Sequence, residues 1–335
     1  MPIKRTMHHD EYGAYEEVCA ADTHQVPLVS VIMSVYNGER WLQDALRSIL
    51  RQTLTDLELI VIDDGSQDNS CAIIREEMRS DLRIRLISQK NIGLTKSLNR
   101  GLRLARGKYI ARHDADDISA PTRLDAQVRL LEKFPDTAVV GTQVARLEAD
   151  ETTKPKSISQ CVAEPSEIAK TLRRRNCISH GSVLLNKHLL GDGIRYDDRF
   201  VYAQDCELWA RLSQKYPLRN IPEPLYLYRL SPGAISTAKC LDQCCYAALA
   251  IYSWRTGRML FDQTPPPHSG PIATYGPFRT NRALRRTLAY LLIINEAPEL
   301  GKAFYSRLHP MHIILGAISR YDLVVRLKQL AKALR

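Results

Sequence analysis

The residues of this 335-residue chain best suited to chemistry are acidic and clustered. In Asp114-Ala115-Asp116, followed by Asp117, the spacing of two is informative. Alternate residues of an extended segment project to the same side, so two carboxylates can converge on one ion. A second cluster, Asp63-Asp64-Gly65-Ser66, has the same acidic character. Carboxylates without phosphate-cradling glycines suit a hard Mg²⁺ or Mn²⁺ ion that bridges carboxylate and diphosphate oxygens. The plainer readings are an acidic turn for the first cluster and a helix cap for the second. Position in the fold decides between them.

The elements that must position these residues follow a regular rhythm. Leu28 to Val35 is a short apolar run rich in β-branched residues and halted by Asn37-Gly38, which predicts a buried strand and a turn. Trp41, Leu42, Ala45, Leu46, Ile49 and Leu50 recur at helical spacing. Leu57 to Ile62 predicts a second strand ending at Asp63, with Asp68 or Ser70 capping a helix through Met78. Ile84 to Ile87 predicts a third strand, Leu94 to Arg106 a third helix, and Tyr109 to Ala111 a fourth strand that runs into the Asp114 cluster. Alternation of this kind implies an α/β fold with a mostly parallel sheet, because parallel strands need crossover connections. Ligands in such sheets bind beyond the carboxyl ends of the strands, where both acidic clusters and Ser34-Val35-Tyr36-Asn37 fall.

Composition narrows the classes. No Gly-x-Gly-x-x-Gly follows the first strand and no Gly-x-x-x-x-Gly-Lys-Ser/Thr occurs, which argues against a dinucleotide fold and a P-loop. The net charge of +10 suits any anionic partner. Nucleic acid is not expected, since no aromatic residues interleave a basic stripe and no recognition helix is evident. The eight cysteines lack paired Cys-x-x-Cys spacing and read as scattered reduced thiols rather than a zinc site. The first 26 residues form a polar tail without the apolar core of a secretory signal, and no apolar run is long enough to span a bilayer. A cytoplasmic protein, or one peripheral on the cytoplasmic face of the membrane, is expected.

Val29 to Asn37, Val61 to Ser66 and Tyr109 to Asp117, in that order and spacing, resemble the family 2 glycosyltransferases of the GT-A fold. The likeness is strong over residues 27 to 145, looser as far as Ser236, and nearest to members that build bacterial surface polysaccharides. It implies a Rossmann-like sheet flanked by helices and inverting transfer of a sugar from a nucleoside diphosphate donor, UDP-linked here, to a saccharide or lipid-linked acceptor. It also implies Mg²⁺ or Mn²⁺. Carried over residue by residue, Ser34 and Tyr36 flank the nucleobase, with Asn37 and Ala115 also on the donor side. Asp64 accepts a hydrogen bond from the base and Asp63 supports the turn. Asn91, Gly93 and Lys96 line the ribose and phosphate side, although Lys96 equally suits a solvated helix face. Asp116 is the metal ligand; Asp114 serves the ribose or the metal, and Asp117 assists.

The attacking hydroxyl needs a base, because a neutral alcohol is a poor nucleophile. The resemblance points to Asp205 in Gln204-Asp205-Cys206-Glu207-Leu208-Trp209, where Gln204 replaces the family's usual Glu. Trp209 falls at a core position of that helix. His180, in Cys177 to Ser182, is expected on the acceptor side, and Arg229 as a clamp on the departing diphosphate. The plain alternatives are a buried hydrogen-bonded histidine and a surface salt bridge.

The chain thus divides into a polar tail (1–26), a donor-binding half (27–125), an acceptor-binding and catalytic half (126–238) and a helical C-terminal extension (239–335) with a proline-rich break at 264–271. In the extension, Leu288 to Ile294, Ile313 to Leu315 and Val324 to Leu327 alternate with basic residues from Arg282 to Arg335. That pattern suits an anionic membrane surface, a docked tail or a dimer contact. Two other functions remain open: a sugar-1-phosphate nucleotidyltransferase, which usually carries a Gly-rich loop absent around Ser34, and a non-catalytic nucleotide-sugar binding protein.

Overall fold

The computed structural model describes residues 3–20, 26–149, 155, 157–158, 161–230, 239–257 and 287–288. Its center is a run of four parallel strands, β3 (Val29–Val35), β4 (Leu57–Asp63), β5 (Ile84–Gln89) and β6 (Tyr109–Asp114), in the spatial order β5-β4-β3-β6. All seven residues of β4 are buried, as expected of a strand covered on both faces. Alternation assigns Val31, Met33, Leu59 and Val61 to one face. There they pack against α1 (Leu42–Leu50), α2 (Ser70–Ser80) and α4 (Arg123–Lys133). Ile32, Ile60 and Ile62 face the other way, toward Leu98 and Leu102 of α3 (Leu94–Leu104) and Trp209 of α7 (Gln204–Leu212). Each such side chain contributes about 1.5–3 kcal/mol on burial, so this two-sided packing dominates stability.

Antiparallel pairings frame the parallel center. Past β6, the two-residue strand β10 (Leu184–Leu185) bridges β6 and the long β8 (Val139–Glu148). β11 (Leu218–Leu230) runs parallel to β8, β7 (Ile118–Ser119) closes that edge on β11, and β9 (Ser157–Ile158) pairs with β8. The short helices α5 (Pro165–Leu172) and α6 (Lys187–Leu190) connect these strands. The sheet is therefore mixed as a whole, with the parallel order confined to its four-strand center and to the β8–β11 pair.

The stretch expected as a polar tail is a hairpin. β1 (Ile3–Asp10) and β2 (Gly13–Ala20) add two antiparallel strands beside β5. Gly13, at φ +102°, occupies the turn where an L side chain would be strained. The hairpin needs little apolar content because ion pairs hold it. The Asp10 carboxylate accepts from Arg100 Nε at 2.9 Å and Arg103 Nη2 at 2.7 Å, while Arg85 sits between Glu17 and Glu58. Those partners lie far away in sequence, which is why local periodicity missed the strands.

The first helix of the C-terminal extension, α8 (Cys240–Thr256), packs on α7 through Cys245, Tyr246 and Leu249. Leu288, which begins an apolar stretch suited to a membrane surface, a docked tail or a dimer contact, is fully buried in that same cluster, as a docked tail would be. The proline-rich break and the basic apolar segments beyond Leu288 lie outside the described residues. Among the described residues no helix is long and apolar enough to cross a membrane.

Candidate active site

Parallel register brings the strand tips together. Ser34 lies opposite Asp114 on one side and Ile62 on the other, and Val35 lies opposite Asp63. Just beyond the carboxyl ends of β3 and β6 opens a cleft of about 600 Å³. Ser34, Tyr36, Asn37, Asp114, Ala115 and Asp116 line one wall, and His180, Gln204 and Asp205 line the other. Nine of the residues singled out in the sequence therefore share one cavity. Asn37 adopts φ 53°, a left-handed conformation that Asn tolerates, and its Oδ1 accepts from Gln67 N at 2.8 Å, locking the β3 and β4 tips together.

The acidic turn is held from behind. Asp114 pairs with Arg112, and its backbone N–H donates to Tyr226 Oη at 3.2 Å. Tyr226, on β11, is fully buried. A Cβ added to Gly181 would overlap Tyr226 Oη and lie 2.6 Å from Asp114 Oδ2, so only glycine lets the 180–182 turn approach the acidic tip. Asp117 is 1% exposed; its Oδ1 accepts from Arg229 N at 2.7 Å, and burial holds its carboxyl well above the usual range. Asp116 faces the cleft. Burial, and after it the charge of Asp114, raise its carboxyl to about 6.

The opposite wall contains Asp205 in the first turn of α7. Burial raises this carboxyl too, against the opposing pull of the Cys206 backbone N–H and the Arg112 charge. Asn176 Nδ2 donates to Asp205 Oδ2 at 2.7 Å, which fixes the carboxylate's direction. Ala203, immediately before α7, takes φ 52°, a strained conformation for a residue with a Cβ, and so turns Gln204 and Asp205 into the cleft. His180 meets Tyr196 Oη through Nε2 at 2.8 Å and lies edge-on to Trp209. Burial depresses its pKa, so the ring is neutral at physiological pH. Trp209 is fully buried and serves packing.

The remaining predicted residues do not reach the cleft. Asp64 is 3% exposed; its Oδ1 accepts from Gln89 Nε2 and Ile92 N, and its Oδ2 from Gly93 N, so it shapes the 91–93 loop. Asp63 accepts from Ser66 N, as a turn support does. Asn91 and Lys96 are exposed outside the cleft, and Gly93, at φ +87°, begins α3. Arg229 is 1% exposed and points away: its Nε donates to Asp116 O and its Nη1 to Ala149 O, both at 2.8 Å. It clamps the acidic turn from behind rather than facing a diphosphate.

Sequence reading missed Arg112 and Asn176 as cleft residues. Arg112 lay two positions before Asp114, so strand alternation was the signal that it shares Asp114's side. Asn176 carried no comparable signal, because its importance comes from a contact with a residue 29 positions away.

Among the described residues no group of three or more His, Cys, Asp or Glu side chains is placed to hold a metal. Seven described cysteines are free, so no disulfide or zinc set forms there. Two carboxylates open to a cleft fit a different arrangement, in which Mg²⁺ or Mn²⁺ takes one or two protein carboxylates and completes its shell with substrate phosphates and water. The mutual repulsion of Asp114 and Asp116 is relieved by a dication.

Comparison with known proteins identifies the family. Residues 30–189 match the family model described as Glycosyl transferase family 2. An uncharacterized glycosyltransferase of Haemophilus influenzae is 34% identical over 219 residues, covering 63% of this chain and 68% of that protein. The amylovoran biosynthesis glycosyltransferase AmsE of Erwinia amylovora is 30% identical over 213 residues, covering 62% of this chain and 79% of its own length. Among solved structures, S. aureus TarS 1-349 in complex with UDP-GlcNAc superposes with a TM-score of 0.53 at 16% identity, over 88% of this chain and 91% of that one. The mannosyltransferase PcManGT from Pyrobaculum calidifontis, in complex with GDP-Man and Mn²⁺, gives 0.51 at 20% identity, over 94% and 86%.

Proposed function

This chain belongs to the family 2 glycosyltransferases, and from that premise we propose that it transfers a hexose from a UDP-linked donor, with inversion, to a saccharide or lipid-linked hydroxyl during assembly of a surface polysaccharide. The observation that carries the reading is the shared cleft, with Asp114 and Asp116 on one wall and Asp205 on the other. AmsE, named for polysaccharide biosynthesis, supports the pathway class. The nucleotide sugars bound by TarS and PcManGT support the donor class.

In this reading the base of the donor lies against Tyr36, which is 51% exposed at the cleft mouth, with the Asp64-braced loop behind it. Asp116 and Asp114 would hold Mg²⁺ or Mn²⁺ beside the diphosphate. The metal, when bound, neutralizes phosphate charge. Asp205 takes the proton from the acceptor hydroxyl as that oxygen attacks the anomeric carbon from the face opposite the diphosphate. The new C–O bond forms as the bond to the phosphate oxygen breaks, and the electron pair leaves with the nucleoside diphosphate. Burial makes Asp205 a stronger base than an exposed carboxylate, and Asn176 aims it. The donor half (27–125) and acceptor half (126–238) each supply one wall, and Gln243 of α8 joins them at the edge.

Calorimetric titration with UDP and GDP, with and without Mn²⁺, tests the donor site. Tight binding is expected for UDP only with the metal. Binding that ignores the metal removes the Asp116 assignment, and an α-to-α transfer product seen by NMR removes the inverting mechanism.

A further inference from the structure

Arginines of the second half of this chain usually meet an acid. Arg195 pairs with Asp198 at 3.1 Å, Arg199 with Asp197 at 2.6 Å and Arg211 with Glu207 at 2.8 Å. Arg173, Arg174 and Arg175 do not. Among the described residues these three consecutive guanidinium groups have no carboxylate partner; Glu167 of neighboring α5 pairs with Lys170 at 2.7 Å, and Glu164, just before that helix, lies 4.0 Å from Arg219. Arg173 lies over the Trp254 ring at 4.7 Å, and Arg173 and Arg174 are exposed. The negative end of α5 favors a nearby cation, yet that influence fades within the last turn and does not call for three.

Their position supplies a use. Arg174 N and Arg175 N both donate to Thr171 O, which fixes the turn. The next residue is Asn176, which orients Asp205, and Ile178 and Ser179 follow on the cleft wall. At 3.8 Å per residue, the Cα atoms of the triplet lie within about 11 Å of that of Asn176. Adjacent like charges repel one another, so an anionic ligand at this rim is bound with release of that repulsion.

We propose that Arg173, Arg174 and Arg175 form an anion-binding rim for the acceptor, and that the acceptor is a saccharide bearing phosphodiester or carboxylate groups near the hydroxyl that is glycosylated. This rests on the glycosyltransferase reading above and on Asp205 marking the acceptor side. The rim binds the acceptor's charge and takes no part in bond making.

The test uses the full chain and a variant with Arg173→Gln, Arg174→Gln and Arg175→Gln together. The probes are a uronate-containing hexasaccharide, its carboxyl-reduced neutral form, a phosphodiester-linked oligosaccharide of the same length, and vesicles containing phosphatidylglycerol. Wild type should bind the two charged oligosaccharides about tenfold more tightly than the neutral one, in a salt-sensitive manner, as two exposed arginines and a half-buried one acting together allow. The glutamine variant should lose that preference and keep its affinity for UDP with Mn²⁺. The corresponding triple lysine variant should retain most of it, which separates lost charge from lost folding. Equal affinity for charged and neutral sugars in wild type, or an unchanged preference in the glutamine variant, overturns the proposal. So does a variant whose only loss is vesicle binding, because the rim then serves a lipid surface. Failure of UDP to bind wild type strikes the donor reading instead, since the oligosaccharide measurements do not depend on it.

Discussion

The two walls of the cleft are built by different means. On the wall proposed for the donor, Ser34 and Asp114 stand side by side because parallel strands β3 and β6 run in register and end together. On the acceptor wall no strand does this work. Asn176, His180 and Asp205 come from irregular segments and a helix start, held by side-chain contacts to Tyr196 and to one another, and by a strained Ala203. Strand register is cooperative and distributes a local change over many backbone bonds, whereas a wall made of single side-chain contacts loses its shape one contact at a time.

Asp205→Asn gives the largest expected effect and bears on the acceptor wall alone. Removing a general base costs about 10²–10⁴-fold in turnover, while UDP affinity with Mn²⁺ stays at the wild-type value because the donor wall is intact. A variant that keeps more than a tenth of its rate would place the base elsewhere.

Gly181→Ala probes the seam between the walls. The added methyl meets Tyr226 Oη and Asp114 Oδ2, so overpacking of about 1–3 kcal/mol is expected together with weakened donor binding. Tyr226→Phe, which removes the hydroxyl that accepts from Asp114 N and donates to Asp114 Oδ2 at 3.4 Å, should weaken metal-dependent UDP binding by about three- to tenfold without a comparable loss of melting temperature. If the two variants melt alike, the seam is less tightly packed than the glycine contact implies.

The smallest expected effect is on pH dependence. Asp116 titrates at about 6 in the folded chain against 3.8 ordinarily. Between those values the folded state keeps a proton that the unfolded state has lost, so this group's contribution to stability falls as pH rises from about 4 through 6. Dication binding needs the carboxylate and therefore strengthens over the same interval. Melts at pH 5 and pH 7.5 should show Mn²⁺ stabilizing the protein chiefly at the higher pH, and Asp116→Asn should abolish that difference. Equal Mn²⁺ stabilization at both values would contradict the assignment.

Much of the donor wall was legible beforehand. Short β-branched runs announced β3, β4 and β6, the last two ending in acids, and the spacing of Asp114 and Asp116 announced a shared face. Asp64 and Arg229 were singled out, but the loop and backbone contacts they make were not foreseen. Spacing locates a side chain on a strand tip, but not which of its oxygens or nitrogens is already engaged by a loop such as Ile92-Gly93 or by the Ala149 carbonyl. The N-terminal hairpin was missed for a related reason: its strands are held by Arg85 and Arg100, and an edge strand needs no apolar stripe of its own.

The sequence by itself determined the parallel center, the strand tips and the types of group that stand there, because periodicity and turn chemistry act within a few residues. Only the tertiary structure decided which carboxylates face the cleft and which are buried as anchors. It also decided that Asn176 aims Asp205, that Gly181 must lack a side chain, and that an arginine behind Asp116 serves the backbone. Each of those outcomes depends on atoms brought within about 3 Å from distant parts of the chain, where hydrogen bonding and excluded volume take effect.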